Sequence, residues 1–372
     1  MNQSVSYGIA LLLAAATAFG VPKAMSDKCC PDECQIPPAY NFPAGIEVSC
    51  GWDVYGSASF IYWDLIQENM EICFTDEISP SLANFQGEFE GMDFDYQPGF
   101  KVGLGTDLNY DDWDLYAEYT RIRSDNSGSA TAPATGGIYP TWGHPYIAGS
   151  NAFNTAFEHW HCNLDFVDLE LGRSYYVGTA LIFHPILAVR GAWIRQMAHV
   201  NYVNNNIVSA TPSPSILGEE NVYQRTHSWA VGPRVGIDCD WMLTKEFRLF
   251  GEAYGDLLYT KYKTQSKTVF LPYVTNTTTT PNYFIGVPVF FISRTDRDEV
   301  RAHVDLETGF GWGTYLDSNK WHIDFEASYG FQVFFDQQMF RHYEDHTAVA
   351  QVKSPNGNLY IHGLTVTGRV DF

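Results

Sequence analysis

The chain contains 372 residues, of which 16% are aromatic and only 17% are charged, and its formal net charge is -21. Because soluble proteins carry about 25% charged residues, the low charge predicts that part of the surface does not face water. The acidic balance argues against nucleic acid as a partner, since phosphate contacts require an excess of Lys and Arg.

Near its N-terminus the chain contains a continuous apolar stretch, Ile9 to Phe19. This stretch is too short to cross a bilayer as a helix, which needs roughly 20 residues, and it has the character of a secretory signal peptide. Ala16 to Ala18 offers a small-residue cleavage site, although Met1 to Gly8 lacks the usual Lys or Arg. We therefore predict a signal peptide over residues 1–18; the alternative is a short buried helix of a cytosolic protein.

The seven cysteines are unevenly placed: Cys29, Cys30, Cys34, Cys50 and Cys73 lie near the N-terminus, whereas Cys162 and Cys239 lie far from it. Cys29 to Cys34 has neither the spacing nor the His partners of a zinc site, so we predict no metal and no other cofactor. An odd number of cysteines in an exported protein leaves at least one thiol free or paired to another chain. We predict a cysteine-rich periplasmic leader over residues 19–49 that contains disulfides. Cys162 and Cys239 have the alternative role of small apolar residues.

After the leader, apolar and polar residues alternate in many segments, as they do in strands whose two faces meet different surroundings. Between Trp229 and Trp241 the odd positions are mostly apolar and the even positions are small or charged, and the same division recurs from Trp113 and from Trp321. These segments exceed the 5–6 residues (roughly) of soluble strands. They approach the roughly 9–11 residues that a tilted membrane-spanning strand needs, and aromatic residues recur near their ends.

About ten such segments are predicted as strands, covering residues 50–66, 89–107, 112–124, 157–173, 179–198, 227–242, 246–263, 300–316, 320–336 and 358–372. Short connections, such as Leu243 to Lys245, alternate with long ones, such as Ser124 to Phe157. The predicted fold class is therefore all-β: a transmembrane antiparallel up-and-down β-barrel over residues 50–372, with short periplasmic turns and long extracellular loops. Further strands at Ile72 to Phe74, Phe270 to Val274 and Tyr283 to Ile292 would raise the count to about 12–16.

The last segment has an apolar face that ends on a terminal aromatic residue. Leu364, Val366, Val370 and Phe372 share this face. The final strand has to add to an edge of the outer-membrane assembly machinery with its apolar face toward lipid. We predict that these residues form the barrel-assembly signal; the alternative is an ordinary edge strand. Because lipid cannot satisfy an open sheet edge, we expect a closed barrel in contact with outer-membrane lipid.

The polar face of the strands supplies candidates for the lining of a pore. They are Asp112, Asp114, Glu118, Arg234, Asp238, Asp240, Asp305, Glu307, Asp324, Glu326 and Arg369. Because carboxylates outnumber cations, we expect a modest preference for cations. The alternative is that Arg and Asp pair across a narrow interior that is nearly neutral or closed.

No catalytic site is predicted. His303 with Asp305 and His322 with Asp324 share a strand face in each case, which is one way to orient an acid–base couple. However, any polar barrel interior is rich in such residues, and the nucleophile motif G-x-S-x-G is absent from the sequence. A barrel hydrolase is kept as an alternative class.

Several blocks carry a family resemblance: Gly51 to Tyr55, Pro98 to Gly105, Asp112 to Tyr116, Asp168 to Arg173, Gly232 to Gly236 and Gly363 to Phe372. They resemble the MOMP-like (major outer membrane protein) pore-forming proteins of Chlamydia-related and Legionella-type bacteria. The likeness is loosest in the long loops.

This resemblance implies an abundant outer-membrane porin that admits small hydrophilic solutes or ions, and it favours a homo-oligomer, a trimer. It also implies disulfide links to other envelope proteins, a role that would suit Cys29, Cys30 and Cys34. The alternative function is a surface adhesin or structural envelope protein with a plugged barrel.

Overall fold

The computed structural model describes residues 43–49, 51–76, 87–108, 113–134, 136–143, 153–204, 218–272, 288–343, 352–353 and 356–372. The strands in these ranges are β1 Val54–Gln67, β2 Cys73–Asp76, β3 Gly87–Glu90, β4 Gln97–Asp107, β5 Trp113–Thr131, β6 Gly137–Pro140, β7 Thr155–Arg173, β8 Tyr175–Val177, β9 Leu181–Asn204, β10 Gly218–Met242, β11 Phe247–Pro272, β12 Val289–Leu316, β13 Trp321–Phe334, β14 His342–Tyr343, β15 Val352–Lys353 and β16 Leu359–Asp371. No helix that is long and apolar enough to cross a membrane occurs in the described ranges.

Ten strands close into a barrel in the order β1, β4, β5, β7, β9, β10, β11, β12, β13 and β16. All neighbouring pairs are antiparallel, and the barrel closes where Tyr55 to Gln67 of β1 pairs with Asp371 to Leu359 of β16. Closure pairs the backbone groups of both edge strands, which is what a wall surrounded by lipid requires. The predicted antiparallel barrel of ten strands is confirmed.

The alternative of a larger barrel with about 12–16 strands is not adopted: the barrel has the predicted ten strands. Phe270 belongs to β11 and Phe290 belongs to β12, so these two segments lengthen existing strands. Cys73–Asp76 does form a strand, but it pairs with β3 and β6 in a separate small sheet. In the described residues, the long connections therefore lengthen the strands of the wall and form a small sheet apart from it.

The alternating sequence sets the two faces of the wall. On β10, Val235 is 57% exposed on the outer face, whereas the neighbouring Arg234 is 3% exposed on the inner face. Leu187, Leu257 and Leu306 lie on the outer face in the same way and are about half exposed or more. Such an apolar outer belt is suited to contact with lipid.

The end of the barrel with short connections has tight turns. Between β12 and β13, Asp317, Ser318 and Asn319 have φ values of 49°, 56° and 65°. Short polar side chains tolerate this left-handed conformation better than branched ones. The amide of Lys320 donates to the carbonyl of Leu316 at 3.1 Å, so the predicted short connection is confirmed here.

At the opposite end, four consecutive barrel strands extend far beyond the apolar belt. β9, β10, β11 and β12 contain 24, 25, 26 and 28 residues. This exceeds the roughly 9–11 residues that cross a bilayer. The upper wall therefore stands in water outside the membrane.

The interior of the upper wall holds an inner plug, which we define as residues 70–76 with β2, β3, residues 137–142 with β6, and residues 335–341. Tyr202 of β9 donates its hydroxyl hydrogen to the Ile72 carbonyl at 2.6 Å, and the Trp142 indole donates to the Glu71 carbonyl at 3.1 Å. The Trp142 ring also lies 5.6 Å from that of Phe340. Burial of each large apolar side chain contributes roughly 1.5–3 kcal/mol, so the plug is held mainly by packing.

The predicted signal peptide and almost all of the predicted leader lie outside the described residues, as do Cys29, Cys30, Cys34 and Cys50. Among the described cysteines, Cys73 and Cys162 are buried and Cys239 lies half-buried on the outer face; all three are free thiols. Burial in the plug, together with the nearby carboxylates of Glu90 and Glu158, raises the pKa of the Cys73 thiol to about 12. Cys73 is therefore expected to be a poor nucleophile.

Candidate functional site: the charged lumen

Most of the predicted pore-lining residues lie in the described part of the chain and take inward positions. They are Asp114, Glu118, Arg234, Asp238, Asp240, Asp305, Glu307, Asp324, Glu326 and Arg369. Asp112 lies outside the described residues. That these residues line an open pore stays a prediction.

Near the short-turn end, a histidine joins two of the predicted carboxylates. His184 lies 2.8 Å from Asp114 through Nε2 and 3.3 Å from Asp238 through Nδ1. Tyr55 and Tyr254 donate hydroxyl hydrogens to the same two carboxylates, at 3.2 and 2.7 Å. This cluster links β1, β5, β9, β10 and β11 at the entrance of the lumen.

Two arginines form further ionic contacts at the same end. The Arg248 guanidinium contacts Asp240 at 3.1 Å and Asp324 at 2.7 Å, and it also donates to Glu326. Arg369 contacts Asp371 at 2.6 Å, and the same carboxylate pairs with His322 at 3.0 Å.

The middle of the lumen is acidic around a single described lysine. The Lys101 ammonium lies 3.6 Å from Glu118, and Tyr116 donates to Glu118 at 3.1 Å. Glu252 and Glu307 are paired in register on β11 and β12 and both face inward. Carboxylates thus outnumber cations at this level.

A further group of ionic side chains, which we call the charge bridge, lies toward the plug and consists of Asp168, Arg190, Arg234, Asp256, Asp305 and His303. Arg190 binds Asp168 with two hydrogen bonds of 2.7 Å and reaches Asp256 at 3.3 Å. Arg234 joins Asp256 at 3.2 Å to Asp305 at 3.1 Å. His303 shares Asp256 through Nδ1.

All six members of the charge bridge are buried. Ion pairs removed from water contribute little net stability, but removing one partner strands the other and costs about 3–5 kcal/mol. The charge bridge links five neighbouring strands, β7 to β12, and therefore fixes this part of the interior in one arrangement.

Directly beside the charge bridge, the lumen is crossed by an aromatic contact. Phe166 of β7 stacks on Phe334 of β13 with ring centroids 5.4 Å apart. These strands are fourth and ninth in the barrel order, so they lie on opposite walls. The Arg190 guanidinium lies 5.2 Å from the Phe166 ring, and the His303 ring lies 3.9 Å from that of Phe334. The contact joins the charge bridge to the apolar plug.

Sequence reasoning missed Asp168, Arg190 and Asp256 as lumen residues, together with His184 and Arg248. The same alternation identifies them. On β9, Val189 lies on the outer face, whereas Arg190 lies on the inner face with Ala192. Their partners lie on other strands, which no local pattern gives.

The His–Asp pairs considered for catalysis have different partners from those expected. His303 forms its ionic contact with Asp256 instead of Asp305, and His322 forms its contact with Asp371 instead of Asp324. The expected i, i+2 couples are replaced because directly opposite residues on paired strands are closer than alternate residues of one strand. Within the described residues, no cluster of His, Cys, Asp or Glu is arranged to hold a metal ion.

A closed antiparallel barrel with an apolar outer belt and a charged interior defines an outer-membrane β-barrel protein. The model of the family described as Legionella pneumophila major outer membrane protein precursor matches residues 47–372. The chain belongs to this outer-membrane protein family. The resemblance noted in its sequence is thereby confirmed, and so is its location in the outer membrane.

Among solved structures, the chain is similar to the outer membrane protease OmpT of Escherichia coli, with 9% identity and a TM-score of 0.41 over 86% of this chain and 97% of that one. It is also similar to a Pseudomonas aeruginosa FadL homologue, with 7% identity and a TM-score of 0.26 over 86% and 89% of the two chains. The P. putida toluene transporter TodX is similar with 8% identity and a TM-score of 0.28, over 86% of this chain and 89% of that one. No curated protein sequence matches the chain.

Proposed function

We propose that the protein is an outer-membrane porin for small hydrophilic solutes or ions, and that its lumen is closed at rest. The observation that carries this proposal is the column of ionisable side chains through the membrane-spanning interior, from Arg369 at one end through Lys101 to Arg190 at the other. Water and ions are the partners that such a column fits.

The energetic cost of the column supports a role in permeation. An interior filled with apolar side chains of similar volume is often more stable than one filled with buried ion pairs, by about 1–4 kcal/mol. A barrel that served only as an anchor would gain from apolar filling. This one keeps apolar filling for the plug outside the membrane and ionisable groups within the membrane.

Closure at rest follows from the two layers above the column. The contact of Phe166 with Phe334 joins opposite walls, and a ten-stranded barrel has a narrow interior even before such contacts form. Passage therefore requires that the aromatic contact and the plug move aside. The excess of lumen carboxylates predicts a modest preference for cations once the path is open.

The test is conductance of the refolded full-length protein in planar bilayers, with reversal potentials measured in a salt gradient. We expect brief, stepwise openings with cation preference. Phe334→Ala should raise the open probability, because it removes the contact between opposite walls. Phe325→Ala on the lipid face of the same strand is the matched control and should leave gating unchanged.

Selectivity is tested with Glu307→Gln, which removes one lumen carboxylate and should reduce the cation preference. Asp298→Asn on the outer face of β12 removes the same charge and should not. Anion preference in the unaltered protein would overturn the selectivity proposed here. A folded barrel without current, in which Phe334→Ala is also silent, would overturn the porin proposal itself.

A second function, a surface adhesin or structural envelope protein with a plugged barrel, is favoured by the inner plug and the tall extracellular wall. A hydrolase is not proposed. If the barrel stays silent in every variant, loss of surface binding after shortening of residues 205–217 would support the adhesin function.

We also propose that the leader cysteines Cys29, Cys30 and Cys34 form cross-links with envelope proteins, that the chain forms trimers, and that the face carrying Phe372 is recognised by the assembly machinery. Electrophoresis of cell envelopes without reductant tests the first proposal, since cross-linked bands should disappear in a triple Ser variant. Phe372→Ser should lower the amount of assembled barrel, whereas Phe247→Ser at another lipid-facing position should not.

A further inference from the structure

A group of basic side chains lies on the outer wall of β9, β10 and β11, immediately above an aromatic row. In the strand register, Trp193 is beside Trp229, and Trp229 is beside Lys261. The next outward row holds Arg195, His227 and Lys263 side by side. We call Arg195, Arg225, His227, Lys261 and Lys263 the basic patch.

The dimensions of the patch suit one compact anion. Neighbouring strands lie about 4.8 Å apart, and rows on one face are separated by roughly 6.6–6.8 Å. Trp193, Trp229, Arg195, His227, Lys261 and Lys263 line a surface cavity of about 410 Å³. Indole rings and cationic side chains therefore surround the same space.

Much of the positive charge in the patch is uncompensated. Arg195, Arg225 and Lys263 have no ion pair with any carboxylate in the described part of the chain. Lys261 has only a long contact of 3.9 Å with Asp298, and Asp296 lies opposite Lys263 in register without reaching it. A protein with a formal net charge of -21 thus leaves three cations free on one face.

The patch is confined to one side of the barrel. At the upper outer positions of β1, β13 and β16 the described polar residues are Asp64, Tyr329 and His362, where His362 lies 3.9 Å from Asp64 and accepts or donates a 2.7 Å hydrogen bond with Tyr329. That side is internally paired. On β5, the outward Arg121 and Arg123 both pair with Asp165. Within the described part of the outer wall, the unpaired cations at the upper edge of the apolar belt therefore lie on the side of the basic patch.

We propose that the basic patch is a binding site for a phosphate-bearing headgroup of an outer-leaflet lipid. Aromatic rows mark the headgroup level of a bilayer, so the cations lie where lipid phosphates lie and the apolar belt below lies where acyl chains lie. Guanidinium groups form paired hydrogen bonds with phosphate, and lysine adds a point charge. The continuity of patch and belt favours a lipid over a free anion.

The experiment measures binding of a bis-phosphorylated lipid A to the refolded full-length protein in neutral detergent by native mass spectrometry. Dephosphorylated lipid A and inorganic phosphate are the comparison probes. We expect retention of phosphorylated lipid A and little retention of the other two. The double variant Arg195→Gln/Lys263→Gln should weaken retention roughly fivefold for each cation removed, or about 25-fold in total.

The matched control is Lys245→Gln/Lys320→Gln, which removes two positive charges from the short-turn end and should leave lipid retention unchanged. Heat-dependent electrophoretic mobility shows that each variant is folded. Equal weakening by both double variants would reduce the effect to net charge and overturn the site. Equal binding of the dephosphorylated lipid, or of inorganic phosphate, would overturn the assignment to a lipid phosphate.

Discussion

Along β9 the outer face changes from Val189 and Trp193 to Arg195, while the inner face changes from Arg190 to Ile194 and Tyr202. The lower part of the wall is therefore apolar outside and charged inside, and the upper part is more polar outside and encloses an apolar core together with buried polar side chains such as Gln196 and Glu220. The solvent of the outer face explains the change: lipid surrounds the lower part and water surrounds the upper part. One continuous strand thus carries two opposite hydrophobic patterns.

The comparison also separates two sources of order. The upper part is held as a soluble protein is, by an apolar core that includes Trp142, Trp160 and Phe153. The lower part has ionic contacts in its interior, and its net stability comes from lipid contact and closed backbone ladders. The aromatic contact of Phe166 with Phe334 marks the level at which one kind of interior meets the other.

The largest effect is expected for removal of a charge from the lower interior. Arg190→Met leaves Asp168 without its partner and removes one of the two arginines at Asp256, and should lower the free energy of unfolding by about 3–5 kcal/mol. Urea unfolding in lipid vesicles, followed by tryptophan fluorescence, measures the change. The control Arg195→Met, on the outer face of the same strand, should stay within about 0.5 kcal/mol; similar losses would contradict the assignment of faces.

A comparable effect is expected in the upper interior for a different reason. Trp142→Ala removes a fully buried ring and should destabilise the plug by about 3–5 kcal/mol. Hydrogen exchange of the β2 and β6 amides measures the opening. Trp142→Phe keeps most of the volume and should cost less; unchanged exchange in Trp142→Ala would show that the plug is not packed as a core.

The two outer faces should respond differently to one added charge. Val235→Arg places a cation in the lipid-facing belt and should cost about 2–4 kcal/mol, depending on its depth. Met197→Arg makes the same addition on the upper outer face and should change stability by about 0.5 kcal/mol or less. Unfolding in vesicles compares the two, and equal costs would place both positions in the same solvent.

The smallest effect concerns the Cys73 thiol. Its pKa is raised to about 12 by burial, against about 8.5 in the unfolded chain. The protonated thiol therefore stabilises the fold fully below about pH 8.5, and this contribution is lost as the pH rises toward 12. With Cys73 as the sole cysteine, alkylation at pH 8 should be much slower in the folded protein than in urea; equal rates would contradict its burial.

The alternation of residues was sufficient to predict the ten strands and both faces of the lower wall, because lipid outside and charge inside give a clear period of two. The prediction failed at the upper ends. The predicted strand 227–242 is Gly218–Met242 in the structure, and the predicted 300–316 is Val289–Leu316. The predicted strands were defined by an apolar outer face. Above the membrane the outer face becomes polar, so the predicted strands end there although the real strands continue.

Several acidic residues of the lumen were also predicted from alternation, but Asp168 and Asp256 were missed, and the partners of the predicted residues were not predictable. Arg190 meets Asp256 across two intervening strand pairings, 66 positions away in sequence. A plugged barrel was predicted only as an alternative. A short apolar run such as Ile72 to Phe74 does not indicate whether it joins the barrel wall or folds inside it. Both the ionic partners and the position of the plug depend on how the barrel closes in three dimensions.

The change of interior is tested most directly by the access of a membrane-impermeant maleimide to single cysteines in a cysteine-free background. Ser57→Cys lies in the charged lower lumen and Ala198→Cys in the upper core, and both face inward. We predict rapid labelling at position 57 and protection at position 198 until the protein is unfolded. Labelling of both positions at the same rate would contradict a hydrated lumen beneath a dry, closed plug.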